Sequence, residues 1–152
     1  MSGARPGTLE IVTDVVKIKA PFDEIISSHV RVINLEEVQG CAVEVVRTQV
    51  ETTTDAWIIR LTFRIVVSYL DIRGKTRTAT RLLFFTKKVP FPPGCRECGR
   101  LTPRIEVSDM DCEATADVTG PCIAKAEVTL EFTLTFKALQ REEITVLVPP
   151  TA

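Results

Sequence analysis

Five cysteines carry the most reactive side chains in this chain: Cys41, Cys95, Cys98, Cys112 and Cys122. Two of them form the run Cys95-Arg-Glu-Cys98. This spacing can hold zinc, run dithiol exchange or close a disulfide. Redox motifs of the thioredoxin type open a helix in a βαβ unit, and the sequence predicts neither. Structural zinc needs four ligands, and the other cysteines lie in strand-like segments without a second CxxC. The expectation is therefore a cross-link, within the loop or between subunits. Free thiols in an exposed loop are the alternative, and no metal or cofactor is assigned. Cys112 and Cys122 flank a turn at Asp117–Pro121, which would bring them near each other. Cys41, Cys112 and Cys122 can equally be small core residues. An odd number of cysteines points to a reducing compartment or to a thiol that bonds another chain.

The other chemistry is sparse. His29 is the only histidine and falls in a segment read as a polar loop. Acidic pairs at Glu36-Glu37, Asp109/Asp111 and Glu142-Glu143 read as solvated charges at turns. No GxSxG, P-loop, HExxH or GxGxxG motif occurs. The expectation is a protein that is not an enzyme. Arg60 and Arg64 share one strand face, and Arg77 and Arg81 lie on the strand expected beside it. Four arginines on one sheet face would suit an acidic or planar partner, since arginine is favoured at interfaces. Solvated arginines with cross-strand acidic partners are the alternative.

These residues must be held by strands. From Trp57 to Tyr69 every second residue is apolar: Trp57, Ile59, Leu61, Phe63, Ile65, Val67, Tyr69. Such alternation predicts a strand with one buried face. Val128, Leu130, Phe132, Leu134 and Phe136 repeat the pattern within a strand predicted over Cys122–Lys137. Two one-sided strands must cover each other, so the fold class is all-β, an antiparallel β-sandwich. The pattern does not separate a jelly roll from an Ig-like Greek key.

Along the chain, Met1–Thr8 reads as a flexible arm. Leu9–Lys19 reads as a strand with slipped alternation, ended by Pro21. One helical turn is expected over Asp23–Ser28, a weak strand over Val30–Val38, a turn at Gln39-Gly40 and a strand over Cys41–Val50. Asp71–Lys75 reads as a hairpin loop with Gly74 at positive φ. The return strand Thr76–Val89 is apolar on both sides (Leu82 and Phe84 against Leu83 and Phe85), which predicts cover on both faces. Pro90–Gly99, with three prolines and two glycines, forbids a regular element. Strand resumes at Leu101–Val107 and continues through Cys112, Ala114, Ala116 and Val118. Thr119-Gly120-Pro121 reads as a turn, and Glu142–Val148 as a last short strand. Residues 1–19 are expected to form an arm and first strand that a neighbour can borrow, and residues 20–152 a single sandwich domain.

The chain has 152 residues, 45% hydrophobic and 26% charged, with a net charge of −1. No basic footprint for nucleic acid is present. No run approaches the roughly 18 apolar residues of a membrane span. Met1–Thr8 lacks the apolar core of a secretory signal, so synthesis in the cytosol is expected. Neither nucleic acid nor a membrane is an expected partner.

The hairpin Val67–Gly74, the run Val89-Pro-Phe-Pro-Pro-Gly94, the strand Ile105-Glu-Val107 and the strand Val128–Phe136 ending in Glu142-Glu-Ile-Thr-Val146 form a sequence pattern. It resembles the SPOCS domain, a spore-coat-associated domain of spore-forming bacteria, across roughly residues 30–148. The resemblance implies an assembly role in the spore envelope and no known catalysis. The chain departs from that family in having one such domain, no LysM module and the Cys95–Cys98 loop. A protein made in the mother cell and released later would combine many cysteines with no signal peptide.

The expected function is a structural subunit that assembles with copies of itself, and with other spore-coat proteins, on the spore surface or in an extracellular filament. The expected assembly residues are Thr8, Leu9, Ile11, Val12, Val15, Val16 and Ile18, which would add a strand to a neighbour's sheet. The alternative is a binding module that recruits a coat protein or a glycan through the arginine-bearing face.

Overall fold

The alternation of Trp57–Tyr69 becomes the middle strand of one sheet, and that of Val128–Phe136 the middle strand of the other. A computed structural model describes residues 7–118 and 124–148. Its strands are β1 (Gly7–Val32), β2 (Leu35–Thr52), β3 (Ala56–Asp71), β4 (Thr76–Pro90), β5 (Thr102–Val118) and β6 (Ala124–Val148). They form two antiparallel three-stranded sheets, β1-β6-β5 and β2-β3-β4. The chain is an all-β sandwich.

The core lies where β3 faces β6. Trp57, Ile59, Phe63, Ile65 and Val67 are wholly buried from one side, and Val128, Leu130, Leu134, Phe136 and Ala138 from the other. Aromatic rings meet across the layer: Trp57 to Phe136 at 4.8 Å and Phe63 to Phe132 at 4.9 Å between centroids. Each such pair adds about 0.5–1.5 kcal/mol beyond its buried area. At the sandwich edges β2 lies against β5, and β1 against β4.

Several expectations are corrected. Pro21 does not end the first strand; it pairs with Thr135 inside β1. β1 is an edge strand, with β6 as its hydrogen-bonded neighbour, so a residue without an N–H fits where the missing donor would face away from the ladder. Asp23–Ser28 is strand, not a helical turn, because each of its residues has a partner on β6. The boundary expected at Ala20 is crossed without a break. Gln39-Gly40 is no turn but the site of a register shift within β2. The first reversal comes earlier, at Ile33-Asn34, where Asn34 takes φ 54°. Asparagine tolerates that region better than most residues.

β4 is covered on one face only. Leu83 is buried, whereas Phe84 is 74% exposed and Leu82 is 44% exposed. The last short strand is the end of one long strand, β6, which runs unbroken to Val148. The acidic pairs expected at turns lie within β2, β5 and β6, and His29 lies within β1. The hairpin Asp71–Lys75 stands as expected, with Gly74 at φ 80°. The turn at Thr119–Pro121 lies outside the described residues.

Candidate assembly surface

Four of the five cysteines are placed, and all four are paired within the chain. Cys41 on β2 joins Cys112 on β5, with Cα atoms 5.6 Å apart. This bond crosses from one sheet to the other at their facing edges. Cys122, expected near Cys112 across the turn, lies outside the described residues. Cys95 joins Cys98 within the proline-rich loop, with Cα atoms 5.7 Å apart. That closure takes the within-loop form of the expected cross-link. A short 3-10 turn at Cys98–Arg100 follows. The loop closes one end of the core: Cys98 and Leu101 are buried, and Phe91 meets Trp57 at 4.4 Å. The Trp57 Nε1 donor is buried there without a hydrogen-bond partner among the described residues.

The four arginines do not share a face. Arg60 pairs in register with Thr86 and Arg64 with Leu82, on the outer side of the sheet. Arg77 and Arg81 stand opposite Tyr69 and Ile65, whose side chains are buried on the inner side. Residues directly opposite in a ladder point the same way. Sequence spacing alone could not fix this register. Arg60 binds Glu51 at 2.9 Å and Arg64 binds Glu44, both across β2. Arg81 donates to the His29 carbonyl, and Lys87 binds Glu24 at 2.5 Å, so β4 is tied to β1. Lys87 also stands 4.3 Å over the Phe22 ring.

Arg77 has a structural partner that sequence reading missed. Asp71 is 2% exposed, the one buried charged residue among the described residues. Its carboxylate accepts from the Lys75 and Arg73 amides at 2.9 Å each and from Arg77 Nε at 2.6 Å. The Lys75 amide, followed by the Arg77 guanidinium, holds the Asp71 carboxyl below its ordinary pKa, against the opposing effect of burial. The same bond raises Arg77. This is an Asx-type turn lock, not a site for a partner.

The arm residues form the feature that stands out. β1 and β6 continue as a pair past the end of β5, whose first partner on β6 is Leu139. Gly7–Val16 pairs with Leu139–Val148, residue by residue. Beyond the Val16–Leu139 rung, the last one shared with β5, this is a two-stranded ribbon. Leu9 stands opposite Val146 and Ile11 opposite Ile144, so their side chains share one face with Val148. All five are at least 39% exposed. Val12 and Val16 are exposed on the other face, Val15 is half-buried, and Ile18 packs against the core. Lys17 binds Glu142 at 2.9 Å at the ribbon's base, which raises the lysine pKa.

The β1 half of the ribbon was expected to leave its own chain. In the structure Thr8–Ile18 lies on β6 of the same chain. The β6 half, Ile144, Val146, Leu147 and Val148, was missed as a surface. Its signal was present: Ile144, Val146 and Val148 keep the parity of the buried Phe132, Leu134 and Phe136, with no apolar segment left to cover them.

No family model matches the sequence, and neither a curated protein nor a solved structure is found to be similar. Among the described residues no group of three or more His, Cys, Asp or Glu side chains is placed to hold a metal ion. Among the same residues no helix is long and apolar enough to cross a membrane.

Proposed function

We propose that this chain is a non-catalytic structural subunit that assembles with copies of itself through the Gly7–Val16/Leu139–Val148 ribbon. One observation carries the reading: the ribbon exposes Leu9, Ile11, Ile144, Val146 and Val148 on one face. A two-stranded ribbon is marginal in water until its apolar face is covered. A sequence that keeps five apolar residues there favours a state in which they are buried. The spore surface is the setting the SPOCS-like pattern points to. Cross-links between subunits do not use Cys41, Cys95, Cys98 or Cys112, each of which has a partner within the chain. Cys122 is the thiol assigned to that role.

The test is negative-stain microscopy and sedimentation of the full chain beside Ile11→Asp/Ile144→Asp. The full chain should form ordered filaments or sheets, and the double variant should remain a folded monomer. Equal assembly of both would end the ribbon reading. Loss of assembly on reduction, reproduced by Cys122→Ser, would assign the cross-link.

A second reading is a binding module for a coat protein or a glycan. It is favoured by Phe84 standing exposed between Arg60 and Arg64 on the outer sheet face. It predicts a dispersed chain that retains a coat-protein partner, and loses it on Arg60→Glu/Arg64→Glu.

A further inference from the structure

The outer faces of the two sheets differ in charge. On β1-β6-β5 the outward residues of β6 alternate with the buried Ala126, Val128, Leu130, Phe132 and Leu134. The ladders set Glu131 between Ile25 and Asp111, Glu127 opposite His29, Glu113 opposite Thr129 and Asp23 opposite Thr133. Opposed residues point the same way, so Asp23, Asp111, Glu113, Glu127 and Glu131 share this stretch of face, and all are exposed. No lysine or arginine stands on these rungs. Lys125 and Lys137 lie beyond them, and Lys137 is held by Glu106. Asp111, Glu113, Glu127 and Glu131 have no ion pair among the described residues. Among these carboxylates Ile25 is 65% exposed. On the outer face of β2-β3-β4 the ladders set Arg47 and Phe84 opposite Thr62, Leu82 opposite Arg64 and Lys88 opposite Ile58. Glu51 and Glu44 balance Arg60 and Arg64. The excess positive charge is therefore that of Arg47, which has no ion pair among the described residues, and of Lys88, which stands 3.9 Å from Asp55. Phe84 and Leu82 are the exposed apolar residues of this face.

We infer that the acidic outer face of β1-β6-β5 packs on the Phe84-bearing face of a second copy of the chain. The inference rests on the self-assembly reading above and adds a contact that the ribbon does not make. Two arguments select this occupant. The first is charge. Carboxylates left unbalanced in their own chain meet Arg47 and Lys88, whereas the acidic face on its own copy would oppose carboxylate to carboxylate. The second is the apolar centre. Ile25 stands among the carboxylates and Phe84 with Leu82 among the arginines, so each face has the apolar middle and charged rim of an interface. The two faces lie on opposite sides of the sandwich. A contact between them is heterologous, and copies stack in an open array unless the rotation closes a ring. Exposed charge pairs are weak and screened by salt. The contact therefore strengthens an assembly that the ribbon holds and does not hold one alone.

The test is a charge exchange in the full chain, read by sedimentation at low salt as the critical concentration for assembly. Glu131→Lys alters one face and Arg47→Glu the other, and both side chains are exposed. Should either variant fail to fold by circular dichroism, Asp111→Lys or Lys88→Glu replaces it. Each exchange alone should raise the critical concentration at least severalfold. Both exchanges in one chain should return it towards the unaltered value, because opposite charges again meet across the contact. Raised salt should shrink the differences between the chains. If the single exchanges leave the critical concentration unchanged while Ile11→Asp/Ile144→Asp stays monomeric, the face contact falls and the ribbon reading stands. If the single exchanges raise it and the combined chain does not recover, the two faces do not meet and the inference falls. An unaltered chain that is monomeric at every concentration overturns both.

Discussion

Along β6 one alternation meets two fates. From Ala126 to Ala138 every second side chain is buried against β3 or its neighbours. Ile144, Val146 and Val148 keep the same parity and stand exposed. The ladder to β1 runs through both halves, broken only at Lys17. What differs is the presence of a second sheet. An alternating pattern therefore specifies which face of a strand is apolar, and the opposing layer decides whether that face is a core or an interface.

The sharpest way to break the comparison is to truncate one residue in each half. Phe136→Ala should cost about 3–5 kcal/mol, since it leaves a cavity beside Trp57 that the packed layer cannot fill. Ile144→Ala should cost the isolated chain about 0.5 kcal/mol. Urea denaturation at low protein concentration reads both. A ribbon residue that costs as much as a core residue would mean that the ribbon is packed within its own chain.

The fold was legible where apolar alternation was long and one-sided, and it misled where a local signal competed with the ladder. β3 was read almost to the residue, and β6 was read as far as Lys137 but not through to Val148. Pro21, Asp23–Ser28 and Gly40 looked like breaks, and each is accommodated by the edge position of its strand or by a register shift. The Cys41–Cys112 bond was out of reach, because it depends on which sheet edges meet, and no spacing in the sequence states that. The arginines were misgrouped for a related reason: β4 read as apolar on both sides, so its register against β3 was open. The ribbon was half legible. The N-terminal residues were recognised as an assembly element, and their partner strand was not.

The two disulfides sharpen the contrast between edge and end at a smaller scale. Cys41–Cys112 spans 71 residues of chain. In the chain-entropy account its loss costs about 4 kcal/mol, against about 2 kcal/mol for a loop as short as Cys95–Cys98. Cys41→Ser/Cys112→Ser should therefore lower Tm by roughly twice as much as Cys95→Ser/Cys98→Ser. Only the second pair should also shift the emission of Trp57, the one tryptophan, because its loop packs Phe91 on that ring. Equal Tm shifts would show that the edge where β2 meets β5 is held by packing rather than by the bond.

The smallest expected effect lies at the end of the sandwich away from the ribbon. There the β3–β4 turn closes on Asp71 instead of running on as open strand. The folded-state pKa of Asp71 lies below its unfolded value, chiefly through the Lys75 amide and then Arg77. A depressed carboxyl contributes stability that is fully present above the unfolded pKa of about 3.9. That stability is lost as pH falls through the folded value, because the unfolded chain then binds the proton first. Acid titration of Tm should show a decline below about pH 4 in the unaltered chain. In Asp71→Asn that part of the decline should be missing, and Tm should begin lower at neutral pH. Arg77→Gln should leave a weakened version of the decline, since the Lys75 and Arg73 amides still bind the carboxylate. Identical acid limbs in Asp71→Asn and the unaltered chain would show that the acid sensitivity comes from other carboxylates.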